Sequence, residues 1–160
     1  MRSPGATSSG GRRRGPPVTE GTGELGFEFQ VVTPTRVVIR ERVTSVIVPG
    51  ARGAMGFWAR HAPTLVALGP GVVKYRTVDR PDRLHLLAVG GGFFEMSPSG
   101  RATLLADTAE LPEEIDVPRA EAALKRARRR LFRPTLDTDI ARAEAALKRA
   151  LARLEVARGR

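Results

Sequence analysis

The sequence predicts an all-β domain, a flattened sandwich or barrel, followed by an antiparallel α-helical hairpin. Three observations predict it. Between residues 26 and 110, short apolar runs alternate with turn residues at roughly 8–12-residue spacing, and no long helical period interrupts them. After residue 113 the period becomes that of a helix, and the segment RAEAALKRA is written twice, at 119–127 and again at 142–150. Residues 1–25, MRSPGATSSGGRRRGPPVTEGTGEL, are dominated by Gly, Pro, Ser, Thr and Arg. Such a segment buries too little apolar surface to offset the entropy of ordering, so it is expected to be a disordered tail.

The β zone, 26–110, divides into short strands closed by turn chemistry. FEFQVV is followed by Thr-Pro, and VTSVIV runs into Pro49-Gly50. TLVAL ends at Gly69-Pro70-Gly71, and VVKYRTV at Asp79-Arg80-Pro81-Asp82. RLHLLAV runs into three glycines, FFEMS turns at Pro98-Ser99-Gly100, and RATLLA closes the zone. AVGGGFFE lacks the Lys-Ser/Thr of a phosphate loop and leads into a strand rather than a helix, so its glycines are assigned to close packing of two sheets.

The helical zone, 113–157, holds two matched segments. Ala120, Ala123, Leu124, Ala127 and Leu131 form one stripe, and Ile140, Ala143, Leu147, Ala150, Leu151 and Leu154 form the other. Asp116 and Asp139 stand at N-cap positions, Pro118 is tolerated in a first turn, and Phe132-Arg133-Pro134 is a stop signal. The short connection makes the two helices antiparallel neighbours. Stripes this rich in alanine bury little area, so the hairpin is expected to need docking on the β domain or on a partner.

Composition limits the chemistry. The chain has 160 residues and no cysteine, which rules out disulfides and thiolate metal sites. No apolar run approaches the ~20 residues of a membrane span, and no apolar stretch follows the Arg12–Arg14 cluster as a signal peptide requires. The expected location is the cell interior, or a membrane surface reached through partners. Its two histidines fall in a turn (His61) and on a strand (His85), with no converging ligands or triad partners, and both are read as structural. No catalytic residue and no metal site is assigned.

The net charge is +10, half of it after residue 112. Such a surface suits phosphates, nucleic acid or an acidic protein, or is a solvated arginine-rich face. Arg119 and Arg126 are seven apart and Arg149 and Arg153 four apart, so each pair shares a helix face. In a folded hairpin these are either four separately solvated side chains or a convergent polyphosphate site.

Across about residues 26–157 the chain resembles the epsilon subunits of bacterial rotary F-type ATP synthases. FEFQVVTPTRVVIRERVTSVIVPGARGAMG is similar to the family's opening strands, HAP at His61–Pro63 to its His-x-Pro, and AVGGGFFEM to its Gly-Gly-Phe-x-Glu strand. IDVPRA at Ile115–Ala120 fits the family's Ile-Asp-x-x-Arg-Ala, and RAEAALKRALARL resembles its final helix. One departure is Trp58-Ala59-Arg60, where the family has Leu-Pro-Gly before the histidine.

The resemblance implies a non-catalytic central-stalk subunit of a proton- or sodium-transporting ATP synthase. Its β domain would sit against the gamma subunit and the c-ring and help couple rotation to catalysis. Its mobile hairpin would extend to the alpha/beta catalytic head and inhibit ATP hydrolysis, with Arg128, Arg129 and Arg130 as candidate contacts. Matching positions for nucleotide binding are Glu110, Asp116, Arg119, Arg126, Arg149 and Arg153, so ATP is expected as a regulatory ligand, with no required cofactor. The implied location is the cytoplasmic face of the plasma membrane, held there only through the complex. The alternative reading is a small basic nucleic-acid-binding β-barrel protein with a helical hairpin. The β zone offers few exposed aromatics and no Lys/Arg stripe along a strand, so no specific nucleic acid is expected.

Overall fold

A computed structural model of the protein describes residues 26–159. The expected tail, 1–25, lies outside the described residues. Nine strands come first: β1 (Phe27–Val32), β2 (Val37–Gly50), β3 (Gly53–Trp58), β4 (Thr64–Leu68), β5 (Gly71–Thr77), β6 (His85–Val89), β7 (Gly92–Met96), β8 (Ala102–Ala106) and β9 (Ala109–Glu110). A 3-10 turn (Pro112–Glu114) then leads to α1 (Val117–Phe132) and α2 (Ile140–Arg158). The predicted class, an all-β domain followed by a helical hairpin, is the one the chain adopts.

The strands join in the order β1-β8-β7-β4-β2-β5-β6-β9, with β3 on β2 and a further β1–β2 pairing that closes a ring. Strand β2 makes this closure possible. Its 14 residues pair with β1 along Val37–Val43, with β5 along Val43–Ile47 and with β3 along Ser45–Gly50, and reach β4 at Gly50↔Leu68. The sequence pattern gave only the second half of this strand. It also gave no strand at Gly53–Trp58, because GAMGFW is too rich in small residues to show an alternation.

Alternating side chains fill the interior: β1 reads buried at Phe27, Phe29 and Val31, and β8 at Ala102, Leu104 and Ala106. Phe57 and Phe94, both fully buried, meet with ring centroids 4.4 Å apart. The β6–β7 glycines serve a strand-to-strand contact rather than the expected packing of two sheets. Gly91 and Gly92 have φ of 123° and 130°, and a Cβ on Gly92 would stand 2.0 Å from the Leu105 carbonyl oxygen on β8.

Both predicted caps form. The Asp116 and Asp139 carboxylates accept from the backbone N–H of Arg119 (3.0 Å) and Arg142 (2.9 Å), and α1 stops at Phe132. Helix α2 differs from its predicted stripe. Ala143, Ala150 and Leu154 are buried, but Ile140 and Leu151 are exposed, while Ala152 and Val156 are buried instead. The helix meets two neighbours, α1 and the β5–β6 surface, so its apolar residues divide between two faces.

The contact between hairpin and barrel is small. Ala152 and Val156 of α2 form a cluster with Ala88 of β6 and Ile115 of the connection, separate from the barrel core. Four buried residues make up this cluster, with Val72, Leu86, Val117 and Ala157 partly buried against it, whereas the barrel core holds twenty. Among the described residues no helix is long and apolar enough to cross a membrane.

Candidate functional site

The six positions matched by resemblance fall into two groups. Glu110 ends the barrel on β9, opposite Ala88 of β6. Arg153 on α2 donates to it twice, from Nε to Oε2 at 2.6 Å and from Nη2 to Oε1 at 3.0 Å. This fork-to-carboxylate geometry is the stronger kind of ion pair, and both side chains are about two-thirds buried. Arg149, one turn earlier, lies over Gly90: a Cβ there would come 3.7 Å from Arg149 Cδ and 2.3 Å from Thr108 Oγ1. Gly90 therefore makes room for the Thr108 side chain, while Arg149 passes at ordinary van der Waals distance.

Glu110, Arg149 and Arg153, with Gly90 and Thr108, line a gap of about 10 Å³, space for about one water molecule. The structure brings these three site residues together. It leaves Asp116, Arg119 and Arg126 outside the gap, exposed on α1. Asp116 is engaged as a cap, and the guanidinium groups of Arg119 and Arg126 make no hydrogen bond or ion pair among the described residues.

Arg128, Arg129 and Arg130 are exposed near the end of α1. Arg128 and Arg129 border an open hollow at the hairpin tip with Leu131 and Phe132, whose ring is 83% exposed. The tip is thus both basic and apolar.

A second tether joins the barrel to the connection before α1. Arg36, just ahead of β2, is ion-paired with Glu114, whose Oε2 also accepts from the Leu111 backbone N–H at 2.9 Å. The Leu111 hydrogen bond is the main cause that holds the Glu114 carboxyl below its ordinary range, with Arg36 adding to it against partial desolvation.

Sequence reasoning missed an apolar face on the barrel. Phe93 of β7 stands opposite Ala67 of β4 on one side and Leu105 of β8 on the other. Phe93 and Leu105 are each 55% exposed, and Leu65, two residues before Ala67, is 70% exposed. The signal was present as doublets, Phe93-Phe94, Leu104-Leu105 and Leu65-Val66, since a strand apolar on both faces is one covered on both. His61 packs its ring on Phe57 with centroids 4.6 Å apart.

Residues 26–112 match the family model described as ATP synthase, Delta/Epsilon chain, beta-sandwich domain, and residues 113–158 match ATP synthase, Delta/Epsilon chain, long alpha-helix domain. The chain is 44% identical over 129 residues to an ATP synthase epsilon chain of Pelotomaculum thermopropionicum, a match spanning 81% of this chain and 93% of that relative. It is 47% identical over 105 residues to one of Moorella thermoacetica, spanning 66% and 76%. A chain of the Euglena gracilis mitochondrial ATP synthase, solved with OSCP, F1 and the c-ring, superposes with a TM-score of 0.70 at 24% identity over 90% of this chain and 89% of that one. At that identity the likeness is one of fold.

Proposed function

The chain belongs to the ATP synthase delta/epsilon chain family, and we propose that its barrel is the rotor-bound part of the molecule and its hairpin a releasable regulatory arm. It is an epsilon chain, a non-catalytic subunit of the synthase. The barrel docks on the gamma subunit and the c-ring at the foot of the central stalk and helps couple rotation to the catalytic head. Its exposed stripe of Leu65, Phe93 and Leu105 supports such a docking face, because contiguous apolar surface rimmed by polar residues marks interaction sites. The complex holds the subunit on the cytoplasmic face of the plasma membrane.

The observation that carries the regulatory reading is the separation of the two hydrophobic clusters. The barrel core is complete without the hairpin, and the hairpin is held by the small Ala88–Ile115–Ala152–Val156 cluster, the Glu110–Arg153 pair and a Lys74–Glu155 pair at 3.2 Å. An arm held this lightly can be released at modest cost. Extended, it reaches the alpha/beta head and inhibits ATP hydrolysis, its Arg128–Arg130 edge and Phe132 tip meeting an acidic, partly apolar surface. ATP is the regulatory ligand of the folded form, because the gap at Glu110, Arg149 and Arg153 is built from both barrel and α2 and disappears when they part. The test is hydrolysis by the reconstituted synthase with residues 113–160 of this subunit removed. The rate is expected to rise. An unchanged rate would remove the inhibitory role.

A further inference from the structure

A second cavity lies at the joint between barrel and hairpin, distinct from the Glu110–Arg153 gap. It encloses about 720 Å³, within the range of small-molecule sites. The barrel supplies one side through Glu41 of β2, Tyr75 of β5 and His85 of β6. The Leu111–Glu113 connection and Gly159, at the end of α2, supply the other. Among the described residues, Gly159 is the hairpin's own contribution to the wall.

Its polar groups are unsatisfied in one sense. Tyr75 is 4% exposed and lines the cavity. Its ring stacks on His85 with centroids 5.1 Å apart and planes at 19°, and His85 Nε2 is buried with no partner. Buried polar groups left unpaired are costly, and a ligand carrying N–H donors recovers that cost. The carboxylates of Glu41 and Glu113 make no ion pair among the described residues. Both act on the same phenol: burial first, then Glu41 and Glu113, push the Tyr75 pKa up to about 12. Among the described residues Arg83 is the one arginine or lysine on the lining, set against these two carboxylates. The remainder of the wall is apolar, with Val38, Ile39 and Leu86.

We propose that this cavity binds a small organic cation, an amine or guanidinium on an apolar chain, and that the bound cation holds the hairpin against the barrel. The charged head meets Glu41 and Glu113, and its N–H groups supply Tyr75 and His85 with donors. The apolar chain lies along Ile39 and Leu86. Polyphosphate is disfavoured here by the same two carboxylates, so the site does not duplicate the nucleotide gap. Two sources carry this chemistry: a free cation, or an arginine of the chain's own Arg12–Arg14 cluster. The latter enters consideration because Gly26 packs on Val78, in the wall of an adjoining hollow that shares Glu41, Arg83 and His85.

Titration calorimetry and thermal melting of the full chain with agmatine, against potassium chloride of equal ionic strength, test the proposal. Saturable binding and a higher melting temperature are expected. The double variant Glu41→Gln/Glu113→Gln weakens agmatine binding about tenfold or more, from the loss of charge-assisted hydrogen bonds. Its response to ATP, read at the other site, stays intact and reports that the variant is folded. Glu95→Gln, on the far face of β7, leaves agmatine binding unchanged. A third arm replaces Arg12, Arg13 and Arg14 with Gln. Binding equal in this variant and the parent identifies a free cation as the occupant, and binding that tightens in the variant identifies the chain's own arginines. Absence of binding in both, or binding indifferent to Glu41→Gln/Glu113→Gln, overturns the proposal, whatever becomes of the ATP response.

Discussion

Arg153 of α2 grips Glu110 of β9 through two parallel hydrogen bonds of 2.6 and 3.0 Å, the closest polar link between hairpin and barrel. Each side chain remains about one-third exposed, so solvent screens the pair and it contributes ~1 kcal/mol rather than the several of a dry pair. Arg153→Ala is therefore expected to loosen the arm without unfolding the barrel. Amide exchange along α2 should quicken while exchange in β1, β2 and β8 stays slow. Equal acceleration in both regions would mean that barrel and hairpin unfold as one unit.

A regulatory nucleotide must compete with that same carboxylate for Arg153. At 100 times its dissociation constant, ATP bound only to the folded arm stabilises it by ~2.7 kcal/mol. The melting temperature should rise with ATP and rise less with ADP, and Arg149→Ala or Arg126→Ala should remove most of the rise. Asp116→Ala is a poor probe, because it also deletes the α1 cap at a cost of ~1 kcal/mol. Asp116→Asn keeps a capping side chain, so a lost ATP response in that variant reports on the ligand alone. Calorimetry showing no heat at millimolar ATP would sink the nucleotide role and leave the family assignment standing.

Phe93 and Leu105 face each other across β7 and β8 on the outer surface, each more than half exposed. Neither supports the core, so Phe93→Asp should change the melting temperature little and weaken capture of the gamma subunit by about tenfold or more, as for a buried aromatic anchor. Phe132→Asp at the hairpin tip should leave gamma capture unaffected. Capture that survives Phe93→Asp and Leu105→Asp together would move the docking face elsewhere on the barrel.

How much of this was legible follows from which residues report on their own environment. β1, β5 and β8 alternate, and Asp116 and Asp139 precede clean helical stripes, so each element announces itself locally. β3 does not, since GAMGFW draws its placement from pairing with β2 rather than from its own side chains. Ala152 and Val156 were missed because α2 answers to two neighbours, and a single stripe describes only one. The site was half legible. Arginine spacing placed Arg149 and Arg153 on one helix face, but the partner that occupies Arg153 lies 43 residues earlier in another domain. The joint cavity was not legible at all, because its walls come from β2, β5, β6, the connection and the end of α2.

The Glu114 carboxylate, held first by the Leu111 N–H and then by Arg36, carries a pH dependence whose direction is fixed by its depressed pKa. A carboxylate bound more tightly in the folded state contributes stability at pH above its unfolded value, about 4.3. That contribution is lost as pH falls through the lower, folded value. The parent chain should lose melting temperature between neutral pH and about pH 3 more steeply than Glu114→Gln, which has no proton to take up. Parallel curves for the two proteins would show that the Glu114 carboxylate binds its proton equally in the folded and unfolded states.

Arg60 is the one non-glycine residue among those described with positive φ, at 65°, and it stands where the resemblance leads one to expect glycine. The left-handed region brings Cβ against the following carbonyl oxygen and costs an L-residue roughly 1–2 kcal/mol. Glycine escapes that cost but gives back about 0.5–1 kcal/mol, because its unfolded chain has more freedom to lose. Arg60→Gly should therefore stabilise the barrel by about 0.5–1 kcal/mol, a rise of roughly 2–8 °C in melting temperature for a domain of this size. The side chain is exposed, and no ion pair among the described residues is lost with it. Arg52→Gly, in the neighbouring β2–β3 turn at ordinary φ, meets only the entropic cost and should melt lower than the parent. A fall for both variants would show that Arg60 gains more from contacts in its loop than its backbone loses, and would make that loop, two residues from Trp58, a functional rather than a tolerated departure.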